Sequence, residues 1–323
     1  MYLKIDNYGN KYVDEIRSGD LPSGIAANYP TNCLEVGSFA VTNSYQWADL
    51  NLAATTAESG RRSRIELRPG SYTLTADLTD VQIDGGTGVN LTITAGVKLK
   101  NCTISVDCLS SVSTLTAESV IAEAGDLLIR ANAVNNFKLS ASDLTWTGGG
   151  NSSATRVSID AIVWKDNYIF VDGAIVRLRA LTNNYNDTGS ADKSYYLIHR
   201  GVLELNGLSM TSSAAEPETE SGTLATSLID CVGVCYLTIK NCFLAASSVA
   251  IITSQATGAG EVKTYCGNSL FENGGGAAEI DNTVAVNQYI MNNGSVLANS
   301  ISSNWTVEGG VFSILPALSR YRF

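Results

Sequence analysis

The chain has 323 residues, 45% of them hydrophobic and 16% charged, with a formal net charge of −10. This composition can bury a sizeable core, and it excludes a disordered chain. The acidic balance, with a pI near 4.6, excludes the usual polyanion-binding surface, so nucleic acid is not an expected partner.

Residues 1 to about 43 lack regular patterning and are rich in Tyr, Asn, Asp and Gly, with Pro22 and Pro30 as breakers. They are expected to form a separate attachment or capping segment. They contain no apolar h-region, so no secretory leader is expected. No apolar run is long enough to span a membrane. From Tyr45 to Ala54, Trp47, Leu50 and Ala54 fall at helical spacing, with Ser44 as the expected N-cap. Arg61, Arg62 and Arg64 are expected in the last turn of that helix, against its dipole. The helix should cover the open end of whatever sheet follows.

Between Ile65 and Ser105 nearly every apolar residue stands two from the next, as in Ile65/Leu67, Tyr72/Leu74, Val81/Ile83, Leu91/Ile93 and Val97/Leu99. A period of two means strands with one buried face. The runs are short and end at Pro69-Gly70, Asp84-Gly85-Gly86, Ala95-Gly96 and Asn101. Buried parity switches across Asn101, from Val97 and Leu99 to Cys102 and Ile104. A left-handed residue does this, and Asn tolerates that conformation. The string Lys-Asn241-Cys repeats the device, and Asn206 gives a looser third case. Asn101 and Asn241 lie 241 − 101 = 140 positions apart, about six coils of ~23 residues in a solenoid. The two are expected at equivalent corners.

The segment Ile65-Glu-Leu-Arg-Pro-Gly-Ser-Tyr-Thr-Leu74 resembles the opening coil of pectate-lyase-type right-handed parallel β-helices. Leu-Lys-Asn101-Cys-Thr-Ile and Ile-Lys-Asn241-Cys-Phe-Leu resemble that family's inner Asn turn. The resemblance covers roughly residues 45 to 313. It implies an all-β fold: a single-stranded right-handed parallel β-helix of about ten coils with a short N-terminal capping helix. The expected domains are 1–43 for attachment, 44–313 for the β-helix and 314–323 for a tail. The superfamily includes pectin-degrading enzymes and many bacteriophage tailspikes and fibres. The implied partners are two further copies in a homotrimer, other virion proteins through the N-terminal segment, and a host surface glycan.

Rhythm breaks at 148–154, 182–194 and 211–222, where loops are expected on the flank of the stack. Beside the second break stand Tyr185, Asp187, Tyr195 and Tyr196, with Asn183, Asn184 and Asn186. Aromatic rings stack on sugar faces and amides bond hydroxyls, so these are the candidate glycan-binding residues. Enzymatic cleavage of a glycan would need paired carboxyls. Asp166, Asp172 and Glu204 are the candidates for that alternative; in a lyase Asp160 could join them as an acid, with Arg177, Arg179 or Arg200 as the base. The N-x-D, G-H-G and R-I-K strings of the family's hydrolases are absent. A non-enzymatic virion fibre or spike is therefore the favoured reading, with a polysaccharide lyase or glycoside hydrolase as the alternative.

The single His199 and the seven cysteines Cys33, Cys102, Cys108, Cys231, Cys235, Cys242 and Cys266 do not fall in a metal-ligand pattern. No metal or cofactor is expected. The cysteines read as buried thiols, suited to assembly in a host cytoplasm.

Overall fold

The structure is a computed structural model. It describes residues 2–5, 11–14, 33–38, 46–59, 64–106, 114–117, 120–122, 126–135, 137–143, 146, 155–165, 167–181, 194–212, 227–246, 249–254, 262–273, 280–282, 288–293, 296–297, 306–308 and 313–314. The chain is all-β with one helix, and nearly all its strands pair in parallel. The exception is an antiparallel pair, Tyr2–Ile5 with Lys11–Asp14.

Short runs of alternating residues can bury one face only if neighbours cover their edges. Here each run is covered by the runs one pass before and one pass after it. The first ladder starts with Cys33–Val36, Arg64–Leu67, Gln82–Gly85 and Cys102–Val106. It continues through the first half of Asp126–Asn135 and of Arg156–Lys165, then the second half of Tyr168–Ala180 and of Tyr195–Asn206. It ends with Cys235–Lys240, Val262–Gly267, Gln288–Asn293 and Thr306–Glu308. That makes twelve rungs, all parallel. The stack thus begins ahead of residue 44.

A second ladder climbs from Leu78–Thr79 and Val97–Lys100 through Val120–Ala122 and Lys138–Ser142 to the first halves of Tyr168–Ala180 and Tyr195–Asn206. It then takes Ser227–Cys231, Ala250–Ser254 and Ile280–Asn282. Among the described residues a third ladder lies between the first and the second on the early and late passes. It holds Gly70–Leu74, Val89–Ile93 and Thr114–Ala117 early, and Ser209–Ser212, Phe243–Ala246, Leu270–Asn273, Val296–Leu297 and Ser313–Ile314 late.

Register puts like on like. In the first ladder one inward column runs Leu34, Ile65, Ile83, Ile104, Ile129, Ile159, Leu178, Leu205, Ile239 and Cys266, each no more than 1% exposed. In the second ladder Val97, Val120, Leu139, Ile169, Tyr196, Ile229 and Ile252 do the same. Burying one Ile or Leu in this way contributes roughly 1.5–3 kcal/mol. The five described thiols, Cys102, Cys231, Cys235, Cys242 and Cys266, are free and buried among these columns.

The helix is Leu50–Ser59, later than the spacing suggested. Gln46–Trp47 is a short strand paired with Cys33–Val36. The N-cap is Asp49 rather than Ser44: its Oδ1 accepts from the backbone N–H of Asn51 at 2.7 Å and of Leu52 at 3.2 Å. Leu50, Ala53, Ala54 and Ala57 are buried in the main core, so the helix does bury its apolar face there. Arg64 is not in the helix. It begins a strand and pairs with Asp84 at 2.7 Å. Arg61 and Arg62 lie outside the described residues.

Asn101 and Asn241 are both left-handed, each with φ of 52°. Their local geometry matches as well. The thiol of Cys102 donates to the carbonyl of Lys100 at 3.2 Å, and that of Cys242 to Lys240 at 3.1 Å. Their places differ. Asn101 turns the chain from the second ladder into the first, as does Asp80 (φ 57°) one pass earlier. Asn241 turns it from the first ladder into the third, with Gly207 one pass before and Asn268 one pass after. The expectation of equivalent corners is therefore corrected: one device serves two corners, because a one-residue bend suits either junction. At the third case Gly207, not Asn206, takes the positive φ (76°).

Candidate functional site

Midway along the stack, the second and first ladders run into each other without a gap. Tyr168–Ala180 and Tyr195–Asn206 each span both, and the register slips around Asp172. Gly201 makes the bend with φ of 122°. One pass later Gly233 lies so close under the carbonyl of His199 that no Cβ fits. This corner gathers titratable groups onto its outer side.

On the rungs below, Ser227–Cys231 and Ala250–Ser254 are buried at every position. Both faces are covered, so their outward polar side chains need partners within the protein. They have them. Asp230 Oδ1 accepts from the Thr253 hydroxyl at 3.0 Å, and Oδ2 accepts from the Tyr195 hydroxyl at 3.4 Å. The hydroxyls of Ser227 and Thr253 are 2.9 Å apart, and Ser227 also donates to the carbonyl of Ile229 at 3.0 Å. Burial raises the carboxyl of Asp230 above the usual carboxylate range. The hydrogen bonds from Thr253 and Tyr195 and the nearby His199 offset part of that rise. Burial, followed by the charge of Asp230, raises the Tyr195 phenol as well. Tyr195 therefore stays a donor across the physiological range.

Above the buried network lies an exposed rim. The rings of Phe170 and His199 meet edge to face, with centroids 5.2 Å apart. Arg200 Nε donates to Asp172 Oδ1 at 2.6 Å. His199 is exposed; Phe170, Arg200 and Asp172 are half-buried. The rim offers an aromatic face, an imidazole and a charged pair, held on a rigid, internally satisfied base. Such a set has the chemistry to bond hydroxyls and to pack against ring faces.

Of the candidate glycan-binding residues, Tyr195 sits in this network at 8% exposure. Tyr196 is removed: it is 1% exposed and belongs to the inward column. Strand alternation allows only one of two neighbours to face out. Tyr185 and Asp187 lie outside the described residues, as does Asp166.

The remaining candidate acids are each held by an arginine. Asp172 has Arg200, and Glu204 has Arg177 at 2.8 Å. They stand on opposite sides of the Gly201 bend. The rung arginine Arg179 grips Asp160 through two bonds, at 3.0 and 2.7 Å. Sequence reading missed Asp230, Thr253 and Ser227. The available signal was the lack of alternation in Ser-Leu-Ile-Asp-Cys231 and Ala-Ile-Ile-Thr-Ser254, the mark of a strand covered on both faces.

No protein-family model, curated protein or solved structure matches this chain.

Proposed function

We propose that the chain is a right-handed parallel β-helix that serves as a structural fibre or spike of a bacteriophage virion, presenting side chains and loops to a glycan or receptor on the host surface. The observation that carries this reading is the unbroken inward column from Leu34 to Cys266. Rungs about 4.8 Å apart, stacked in one direction, make a stiff elongated shaft rather than a closed globule. The Phe170–His199–Arg200 rim on its flank suits recognition more than turnover, since Asp172 is engaged by Arg200 and Asp230 by Thr253 and Tyr195. In this reading the residues ahead of the first rung at Cys33 join the particle, and three copies of the shaft assemble side by side.

The test is adsorption. Fluorescently labelled full-length protein is offered to a panel of bacterial strains, with purified surface polysaccharides as competitors. Saturable adsorption to a subset of strains, competed by their own polysaccharide, is the expected result, together with a trimer by light scattering. A micromolar monomer that adsorbs to no strain overturns the proposal. Release of new reducing ends or unsaturated products would move the protein to the enzymatic alternative.

A further inference from the structure

The corner beneath the exposed rim is lined with sulfur. The strand that carries His199 passes from Ile198 to Gly201 with two residues between them. On the next rung Cys231 lies in register with Ile198 and Cys235 with Gly201, and three residues stand between. The extra residue is taken up in the arc Val232-Gly233-Val234, so the two cysteines stand at the ends of one tight bend. Both are fully buried and belong to the main core. The thiol of Cys235 donates to the carbonyl of Ile198 at 3.3 Å, beside the Val232 N–H at 2.8 Å. The thiol of Cys231 is hydrogen-bonded to that of Cys235. A relay of two thiols therefore ends on the carbonyl just before His199.

Other described thiols are engaged differently. Cys102 donates to the carbonyls of Leu78 and Lys100, and Cys242 to that of Lys240. Burial pushes the Cys242 thiol up to about 11 and that of Cys266 up to about 12. Buried thiols of this kind are chemically inert. At the corner, by contrast, each sulfur has a second sulfur as its polar neighbour. A disulfide needs side chains that converge, and the arc brings these two together without moving the rungs. Two thiols that face each other in this way are the reduced form of a disulfide.

We propose that Cys231 and Cys235 are a dithiol that a small hydroperoxide oxidises to a disulfide, clasping the base of the rim. Cys231 is held protonated by its hydrogen bond to Cys235 and by burial, which leaves Cys235 as the attacking sulfur. Having lost its proton to water, that sulfur breaks the O–O bond of hydrogen peroxide. It becomes a sulfenic acid, and the other oxygen leaves as water. Cys231 then attacks the oxidised sulfur: the S–O bond breaks, the S–S bond forms, and the second oxygen leaves as water with the Cys231 proton. Two electrons pass from the sulfurs to the peroxide. Closure ties the ends of the arc under His199 and leaves the Ile198 carbonyl to the Val232 N–H. The inference is independent of the receptor-binding reading.

The experiment uses the full chain, reduced, freed of reductant and treated with hydrogen peroxide while folded. Remaining thiols are alkylated with iodoacetamide in denaturant, and the peptides are mapped by mass. The peptide that holds Cys231 and Cys235 is expected unalkylated and two hydrogen atoms lighter, and it takes two alkyl groups once dithiothreitol has reduced it. Cys102 and Cys242 are alkylated throughout. Hydrogen exchange at the Val232 and Gly201 amides slows on oxidation by up to about thirtyfold, the loop-closure value for a five-residue ring. Cys231→Ser and Cys235→Ser each abolish the bridge, and Cys242→Ser, a change in the same core, keeps it. If the serine variants do not fold, the parent's map decides alone. Both thiols still open to alkylation, either one joined to a different cysteine, or oxidation to a sulfinic acid without a bridge overturns the proposal. A bridge that leaves exchange at Val232 and Gly201 unchanged overturns the clasp.

Discussion

Replacing Gly233 by alanine tests the corner on which the candidate site is built. A Cβ at Gly233 would meet the carbonyl oxygen of His199 at a separation below the 3.0 Å that real Cβ atoms essentially never cross. Gly233 has no positive φ among the special residues, so the cost is steric and not conformational. The two rungs must part, and they are tied on either side of the contact. Val232 N–H donates to Ile198 O at 2.8 Å, and Gly201 N–H donates to Val234 O at 3.0 Å. Weakening these two bonds costs roughly 1 kcal/mol each, and forcing an extra methyl into a packed site costs about 1–3 kcal/mol. A destabilisation of about 3–5 kcal/mol is expected. Gly86→Ala is the internal control, since a Cβ there meets nothing within 4 Å. It should change stability by no more than about 0.5 kcal/mol. Urea unfolding gives the totals. Hydrogen exchange shows whether the loss centres on the rungs of Tyr195 and Ser227. If Gly233→Ala falls within about 0.5 kcal/mol of Gly86→Ala, the stacking of these two rungs is misassigned.

Asn101→Gly should be nearly neutral, whereas Asn101→Val should cost about 1–2 kcal/mol because a β-branched residue resists the left-handed region; equal urea midpoints for the two variants would contradict the assigned turn. Asn167 is fully buried, and neither its side-chain Nδ2 nor its Oδ1 has a hydrogen-bond partner among the described residues. Asn167→Leu is therefore expected to stabilise the chain by about 1–2 kcal/mol, and a loss in thermal midpoint would argue for a hidden partner. Asp230 has a raised folded-state pKa, so the folded protein holds its proton where the unfolded chain has released it. Its contribution to stability is complete below the unfolded value near 4 and fades as pH rises through the folded value. Asp230→Asn should flatten that part of the stability–pH curve, and an unchanged slope would show that another group sets it.

The rungs were legible because alternation is a local consequence of one buried face, and Ile65 to Ser105 states it plainly. The bend at Lys-Asn-Cys was legible for the same reason: the Asn backbone and the following thiol settle the turn between themselves. Which ladders that bend joins was not legible. Asn101 and Asn241 have the same neighbours in sequence and differ only in what is stacked above and below. The acids Asp172 and Glu204 looked available because their arginines stand 28 and 27 residues away, one pass along the stack. Tyr195 and Tyr196 are equal as residues, and the register of a distant rung decides which one faces out. The helix start slipped from Ser44 to Asp49 because Gln46 and Trp47 are claimed by the edge of the first rung.

The relocation of the one-residue bend has a consequence for how such a chain can change over time. A junction closed by a single left-handed residue leaves no slack for added length. Near Asp80 and Asn101 the sealed junction precedes the first ladder; near Gly207, Asn241 and Asn268 it follows it. New recognition segments can therefore be accepted on different sides of the shaft in its two halves, and a graft that succeeds at one level should be rejected at the same junction further along.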